Sequence, residues 1–160
     1  MSIAFAGSEL LNMAVQLEKK GKAFYDRVAN TVKDEETRKI FQYLADEEVK
    51  HEQLFKEMLG RIKAAGDSPY DDSEMLSYFR ALVDREVFPE EEYAAEIKNN
   101  TKAPAVALRI ALSLEKDAVL YFHELAMRTE SKDQKIIEAI IAEERKHIQR
   151  ILELKAKLGV

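Results

Sequence analysis

The chain has 160 residues, 46% of them hydrophobic and 34% charged, and a formal net charge of -5. That length suits a single domain over residues 1–160 with a core that needs no staples, and the acidic balance argues against nucleic acid or an anionic membrane as partner. With no cysteine in the chain, disulfides, zinc ribbons, thiolate clusters and thiol nucleophiles are excluded.

The opening stretch "MSIAFAGSELLN" has no basic region and no long apolar run, so no secretory signal is expected. No segment approaches the roughly 20 apolar residues of a membrane span, and the expected location is the cytoplasm. Helical periodicity begins near Ser8, a candidate N-cap, and continues to about Asn30. A second helix starts at the cap Asp34 and runs to about Ala65, before Gly66. Residues 66–103 break the pattern: "GDSPYDDS" is turn-rich, and "SEMLSYFRALVDREVF" and "PEEEYAAEIKNN" read as two shorter helices split at Pro89. A third long helix begins at Pro104, a proline allowed in a first turn, and reaches about Arg128. The fourth starts after Ser131, where "SKDQ" reads as a capping box, and runs to about residue 158. No window alternates with period two, so no sheet is expected.

The first and third connections are short, which makes hairpins of 8–65 and 104–158. The middle connection is long enough to return along the bundle. The expected fold is therefore all-α: a four-helix bundle with a long crossover between the second and third helices.

The two halves repeat each other. "LEKKGKAFY" from Leu17 aligns with "LEKDAVLYF" from Leu114, and "DEEVKHEQ" from Asp46 aligns with "AEERKHIQ" from Ala142. Two of the three histidines thus stand in the same setting, three residues after a glutamate: Glu48 with His51, and Glu144 with His147. A lone Glu-x-x-His is usually a solvated pair. These two come with two further glutamates that share their surroundings.

On a helix the same-face neighbours of position i are i±3, i±4 and i±7. For Glu115 these are Leu108, Ala111, Leu112, Ala118, Val119 and Phe122; for Glu144 they include Ile137, Ile140, Ile141 and Ile151. Glu48 has Phe41, Leu44, Ala45, His51, Glu52 and Phe55, and Glu18 has Leu11, Ala14, Val15, Gly21, Lys22 and Tyr25, the least clean of the four. All four glutamates therefore lie on core-facing stripes. Glu18 and Glu48 are equally far from the first turn, and Glu115 and Glu144 equally far from the second, about 22 Å in each hairpin at 1.5 Å per residue. Four carboxylates and two imidazoles meet at one level of the bundle.

Four buried carboxylates without cations would cost several kcal/mol each, and no buried Lys or Arg is expected on these stripes. Two divalent metals balance the charge: four carboxylates give -4, neutral histidines add nothing, and two ions give +4. Carboxylate and imidazole donors without thiolate suit iron or manganese. The expected metal ligands are Glu18, Glu48, His51, Glu115, Glu144 and His147.

This set resembles that of the ferritin-like di-iron carboxylate proteins, in the rubrerythrin-related branch. The resemblance implies a ferritin-like bundle holding two iron ions, or manganese or a mixed pair in the same site. It implies terminal roles for Glu18 and Glu115, bridging roles for Glu48 and Glu144, and one metal capped by each of His51 and His147. It also implies a redox enzyme that reacts with hydrogen peroxide or dioxygen and is reset by an external electron donor. The long, patterned middle segment favours a homodimer, and some relatives of this branch exchange hairpins between subunits. Two features depart from the family. No four-cysteine rubredoxin-like part is present, and the further glutamate one turn after the third-helix ligand is replaced by Ala118, with Gly21 as its counterpart in the first helix. Small residues there leave room for a small oxidant or serve packing. Iron storage with ferroxidase activity, and a metal-stabilised sensing or interaction module, are the competing functions.

Other polar residues near the stripes take plainer readings. Tyr25 lies beside Glu18 and either bonds a ligand carboxylate or packs in the core. Tyr43 and Tyr121 read as packing residues, and His123 sits at a boundary. Glu47, Glu52 and Glu143 read as solvated surface, and "PEEEYAAE" as a solvated helix start rather than an iron-entry patch.

Overall fold

In a computed structural model of the protein, residues 7–65, 77, 80, 81, 103–129 and 131–160 are described. They contain four long helices: α1 (Gly7–Thr31), α2 (Glu35–Ala65), α3 (Ala103–Met127) and α4 (Ser131–Leu158). No strand occurs among the described residues. The boundaries agree with the sequence reading to within one residue for most ends. Ser8 falls inside the first turn of α1 rather than before it. Of the two shorter helices expected in the connection, only Ser77, Arg80 and Ala81 are among the described residues, each helical; the "PEEEYAAE" run lies outside them, as does the Ser131 side chain.

The ends are set by local chemistry. Asp34 caps α2: its carboxylate accepts from the Thr37 backbone N–H at 2.7 Å and from the Thr37 hydroxyl at 2.6 Å. These bonds favour the ionised form and hold the carboxyl below its ordinary value. α4 closes on Gly159 at φ 70°, where few side chains are tolerated. The Val160 N–H then reaches the Lys155 carbonyl and the Gly159 N–H the Ala156 carbonyl, so two otherwise orphaned acceptors are satisfied.

Helix directions follow from the contacts that join them. Tyr121 donates to the Leu10 carbonyl, while Tyr25 further along α1 meets Glu115 earlier in α3, so α1 and α3 are antiparallel. Glu36 pairs with Lys157 and Arg61 with Asp133, so α2 and α4 are antiparallel too. With each hairpin antiparallel in itself, α2 and α3 run parallel, as a long crossover demands.

The apolar core is split in two. One half gathers Leu10, Leu11, Phe55, Met58, Phe122 and Ile137; the other gathers Phe24, Phe41, Leu44, Leu108, Ile151 and Leu154. On every helix the division falls at the same level: Glu18, Glu48 with His51, Glu115, and Glu144 with His147 are all buried between the two halves. Each large apolar side chain contributes about 1.5–3 kcal/mol by leaving water. Edge-on aromatic packing of Phe24, Tyr25 and Phe41 braces one side of the polar layer, and Phe55 against Phe122 braces the other. No described helix is long and apolar enough to cross a membrane.

Candidate metal centre

The repeat in the sequence becomes a repeat in space. α1 and α3 each contribute one glutamate, Glu18 and Glu115, while α2 and α4 each contribute a glutamate and a histidine one turn apart. All six sequence-predicted side chains are buried and converge. The His51 Nδ1 lies 2.8 Å from Glu144 Oε1, 3.6 Å from Glu48 Oε2 and 3.8 Å from Glu18 Oε1. The His147 Nδ1 lies 2.8 Å from Glu144 Oε2 and 3.5 Å from Glu115 Oε1. The two rings are nearly parallel, with centroids 5.7 Å apart.

The ligand atoms form two groups with one member in common. Glu18, Glu48, His51 and Glu144 make the first; Glu115, Glu144 and His147 make the second, with the donor atoms of each within 4.8 Å of one another. Glu144 sends one oxygen to each histidine and occupies the shared position. Glu48, given a bridging role by the family resemblance, groups with the first set only.

The residues fit a pair of cations. Glu18 Oε1, Glu48 Oε2, Glu115 Oε2, both oxygens of Glu144 and both Nδ1 atoms are buried and make no hydrogen bond among the described residues. Each of the six side chains thus offers at least one orphaned donor atom, where a buried polar group ordinarily has a partner. The close Nδ1–Glu144 pairs are near but not aligned as hydrogen bonds. That arrangement is what a cation requires: ligands at about 2.1 Å from one ion sit about 3 Å from each other in an octahedral shell. Among the described residues no Lys or Arg is buried to compete for the carboxylates.

Without cations the cluster rearranges its protons. Burial, then the neighbouring carboxylates, push Glu18 and Glu115 well above the ordinary carboxylate value, and Glu48 is raised by the same causes. Burial by itself would lower the histidines, but Glu144, Glu48 and Glu143 carry His51 up to about 11, and Glu115 with Glu144 carries His147 up to about 10. Burial would also raise Glu144; the two imidazolium rings beside it outweigh burial and hold it below the ordinary range. In the metal-free layer Glu144 thus favours its ionised form beside two histidines that favour the charged form, while Glu18, Glu48 and Glu115 are shifted toward their protonated forms.

Gly21 makes room for this layer. A Cβ built there would lie 2.8 Å from Glu48 Oε1 and 3.3 Å from its carboxyl carbon, so the space belongs to the Glu48 side chain. An alanine in a helix interior gains about 1 kcal/mol over glycine. Gly21→Ala is therefore expected to leave the metal-free protein at least as stable while weakening divalent-metal binding, read by equilibrium dialysis with Mn2+ beside a thermal melt. Unchanged binding would show that Glu48 relocates without loss.

The neighbouring residues divide. The Tyr25 hydroxyl donates to Glu115 Oε1 at 2.7 Å, across to α3 rather than to Glu18 on its own helix, and burial keeps its proton on. His123 is exposed and pairs with Arg145, away from the cluster. Two surface readings need correction. Glu47 and Glu52 are largely covered, because Lys50 closes over the first, and Lys56 with Lys19 over the second. Glu143 is only half exposed and meets His51 Nε2 at 2.8 Å. A helical wheel of α4 puts Glu143 off the stripe; its partner is on α2. The signal for it in the sequence was a carboxylate directly before the motif glutamate in both halves, Glu47 and Glu143.

Comparison with known proteins agrees with this geometry. The family described as Rubrerythrin matches residues 9–103. No curated protein matches the chain. A crystal structure from Thermotoga maritima, of a protein provisionally described as a ferritin-like diiron-carboxylate protein, superposes with a TM-score of 0.68 at 26% identity, covering 96% of this chain and 97% of that one.

Proposed function

We propose, on the premise that the chain belongs to the rubrerythrin family, that its buried layer holds two iron ions and reduces hydrogen peroxide or dioxygen. The observation that carries the reading is the convergence of four carboxylates and two imidazoles, each with an orphaned donor atom, inside an apolar bundle. Hard oxygen and imidazole donors without thiolate favour iron or manganese. When bound, two ferrous ions supply the two electrons that convert hydrogen peroxide and two protons to two waters; an external donor returns them.

The chain's own residues do the rest. Glu144 belongs to both ligand groups, so its carboxylate would help hold both ions. Glu18 would help hold one ion and Glu115 the other, and Tyr25 fixes the Glu115 carboxylate by donating a hydrogen bond to Oε1. The apolar layers led by Phe41 and Phe55 exclude bulk water, which strengthens every charge interaction inside. Taking up metal requires the histidines and glutamates to release protons, so loading improves as pH rises.

The test is the rate at which ferrous-loaded protein consumes added peroxide, followed by loss of chelatable Fe2+. Wild-type protein is expected to react within the mixing time of the assay, and Glu48→Ala and Glu144→Ala variants to lose most of that reaction. Unchanged rates in both variants would sink the proposal.

A further inference from the structure

The two halves of the centre differ behind their histidines. The internal repeat pairs Glu47 with Glu143, Glu48 with Glu144 and His51 with His147, so a symmetric centre would back both rings alike. It does not. His51 turns Nδ1 to the cluster and meets Glu143 Oε2 with Nε2 at 2.8 Å. His147 also turns Nδ1 inward, but its Nε2 is buried and has no hydrogen-bond partner among the described residues.

The sequence shows where the symmetry breaks. Tyr43 stands edge-on against the His147 ring at 5.9 Å, with the Arg150 guanidinium 4.0 Å from the tyrosine centroid. The repeat counterparts of Tyr43 and Arg150 are Ala139 and Leu54, so the His51 side has neither. Glu47, which symmetry would assign to His147, instead gathers with His51 and Glu143 and pairs with Lys50. Both outer carboxylates thus stand on the His51 side.

A carboxylate that accepts from Nε2–H fixes the tautomer, leaves the Nδ1 lone pair pointing at the metal position, and makes the imidazole a stronger donor. His51 has that support, and among the described residues His147 has none. The His51 half also brings together four ligand residues against three. We propose that Glu143 is a positioning residue for His51, and that two divalent ions load in order: the Glu18–Glu48–His51–Glu144 half first, the Glu115–Glu144–His147 half second. This rests on the dinuclear reading above.

The experiment is a Mn2+ titration of the metal-free full chain, followed by electron paramagnetic resonance. Wild type is expected to show an isolated bound ion at one equivalent and an exchange-coupled pair only at two. Glu143→Gln is expected to weaken the first step about 10–100-fold and leave the second nearly unchanged, so that the steps merge; Glu143→Ala should weaken the first step further. Circular dichroism confirms that the variants are folded. Coupled pairs from the first addition onward in wild type, or an unaltered first step in Glu143→Gln, would overturn the ordered loading while leaving the dinuclear centre standing. Failure of wild type to bind Mn2+ would overturn both.

Discussion

Metal loading is expected to raise the thermal midpoint of this protein by about 10–20 °C near neutral pH, and the gap is expected to widen as pH rises. Each ion held at about a hundred times its dissociation constant adds about 2.7 kcal/mol, and each kcal/mol moves the midpoint of a chain this size by about 2–4 °C. The pH dependence follows from the signs of the shifts. The folded-state values of Glu18, Glu115, His51 and His147 are all raised in the metal-free protein. A raised group stabilises below its unfolded value and loses that contribution as pH climbs toward its folded value. The glutamate contributions therefore fade above about pH 4.5, and those of the histidines between about pH 6.5 and their folded values of about 10 and 11. Glu144 runs the other way, contributing above its unfolded value, but its stability is already complete by neutral pH. Scanning calorimetry of loaded and stripped protein between pH 6 and 9 checks this. Equal midpoints with and without metal would place the cations outside the core.

The second large effect separates residues that look alike. Glu18 and Glu144 are both buried glutamates of the same layer, yet in metal-free protein at neutral pH their replacement should have opposite consequences. Glu144→Gln removes the anion between two imidazolium rings and leaves buried charge uncompensated, which costs about 3–5 kcal/mol. Glu18→Gln replaces a carboxyl that burial and the carboxylates around it push toward its neutral form, so it should be neutral or stabilising. Both variants should bind metal less well. Denaturant unfolding of the stripped variants decides the matter, and equal destabilisation would contradict the charge arrangement described for the cluster.

Much of this was legible in the sequence because it depends on local periodicity. The stripes around Glu48 and Glu144, the cap at Asp34 and the two short turns are properties of single segments, and together they placed six side chains at one level. What was not legible depends on neighbours across the bundle. Glu143 reads as surface on its own helix and acquires a role only because α2 brings His51 to its carboxylate. Tyr25 lies one turn from Glu18, but its hydroxyl reaches α3. Glu47 and Glu52 carry the charge of solvated positions, and lysine side chains from their own and a neighbouring helix cover them. The meaning of Gly21 was also hidden: its missing side chain is a contact between helices, filled by Glu48.

The most direct test of the central claim is the metal content of the folded protein. After anaerobic reconstitution with ferrous iron and removal of loosely held ions, elemental analysis should find about two metals per wild-type chain and fewer than one in Glu144→Ala, whose lost carboxylate serves both positions. A folded wild-type chain that retains no metal, or a Glu144→Ala variant that retains two, would contradict the dinuclear centre.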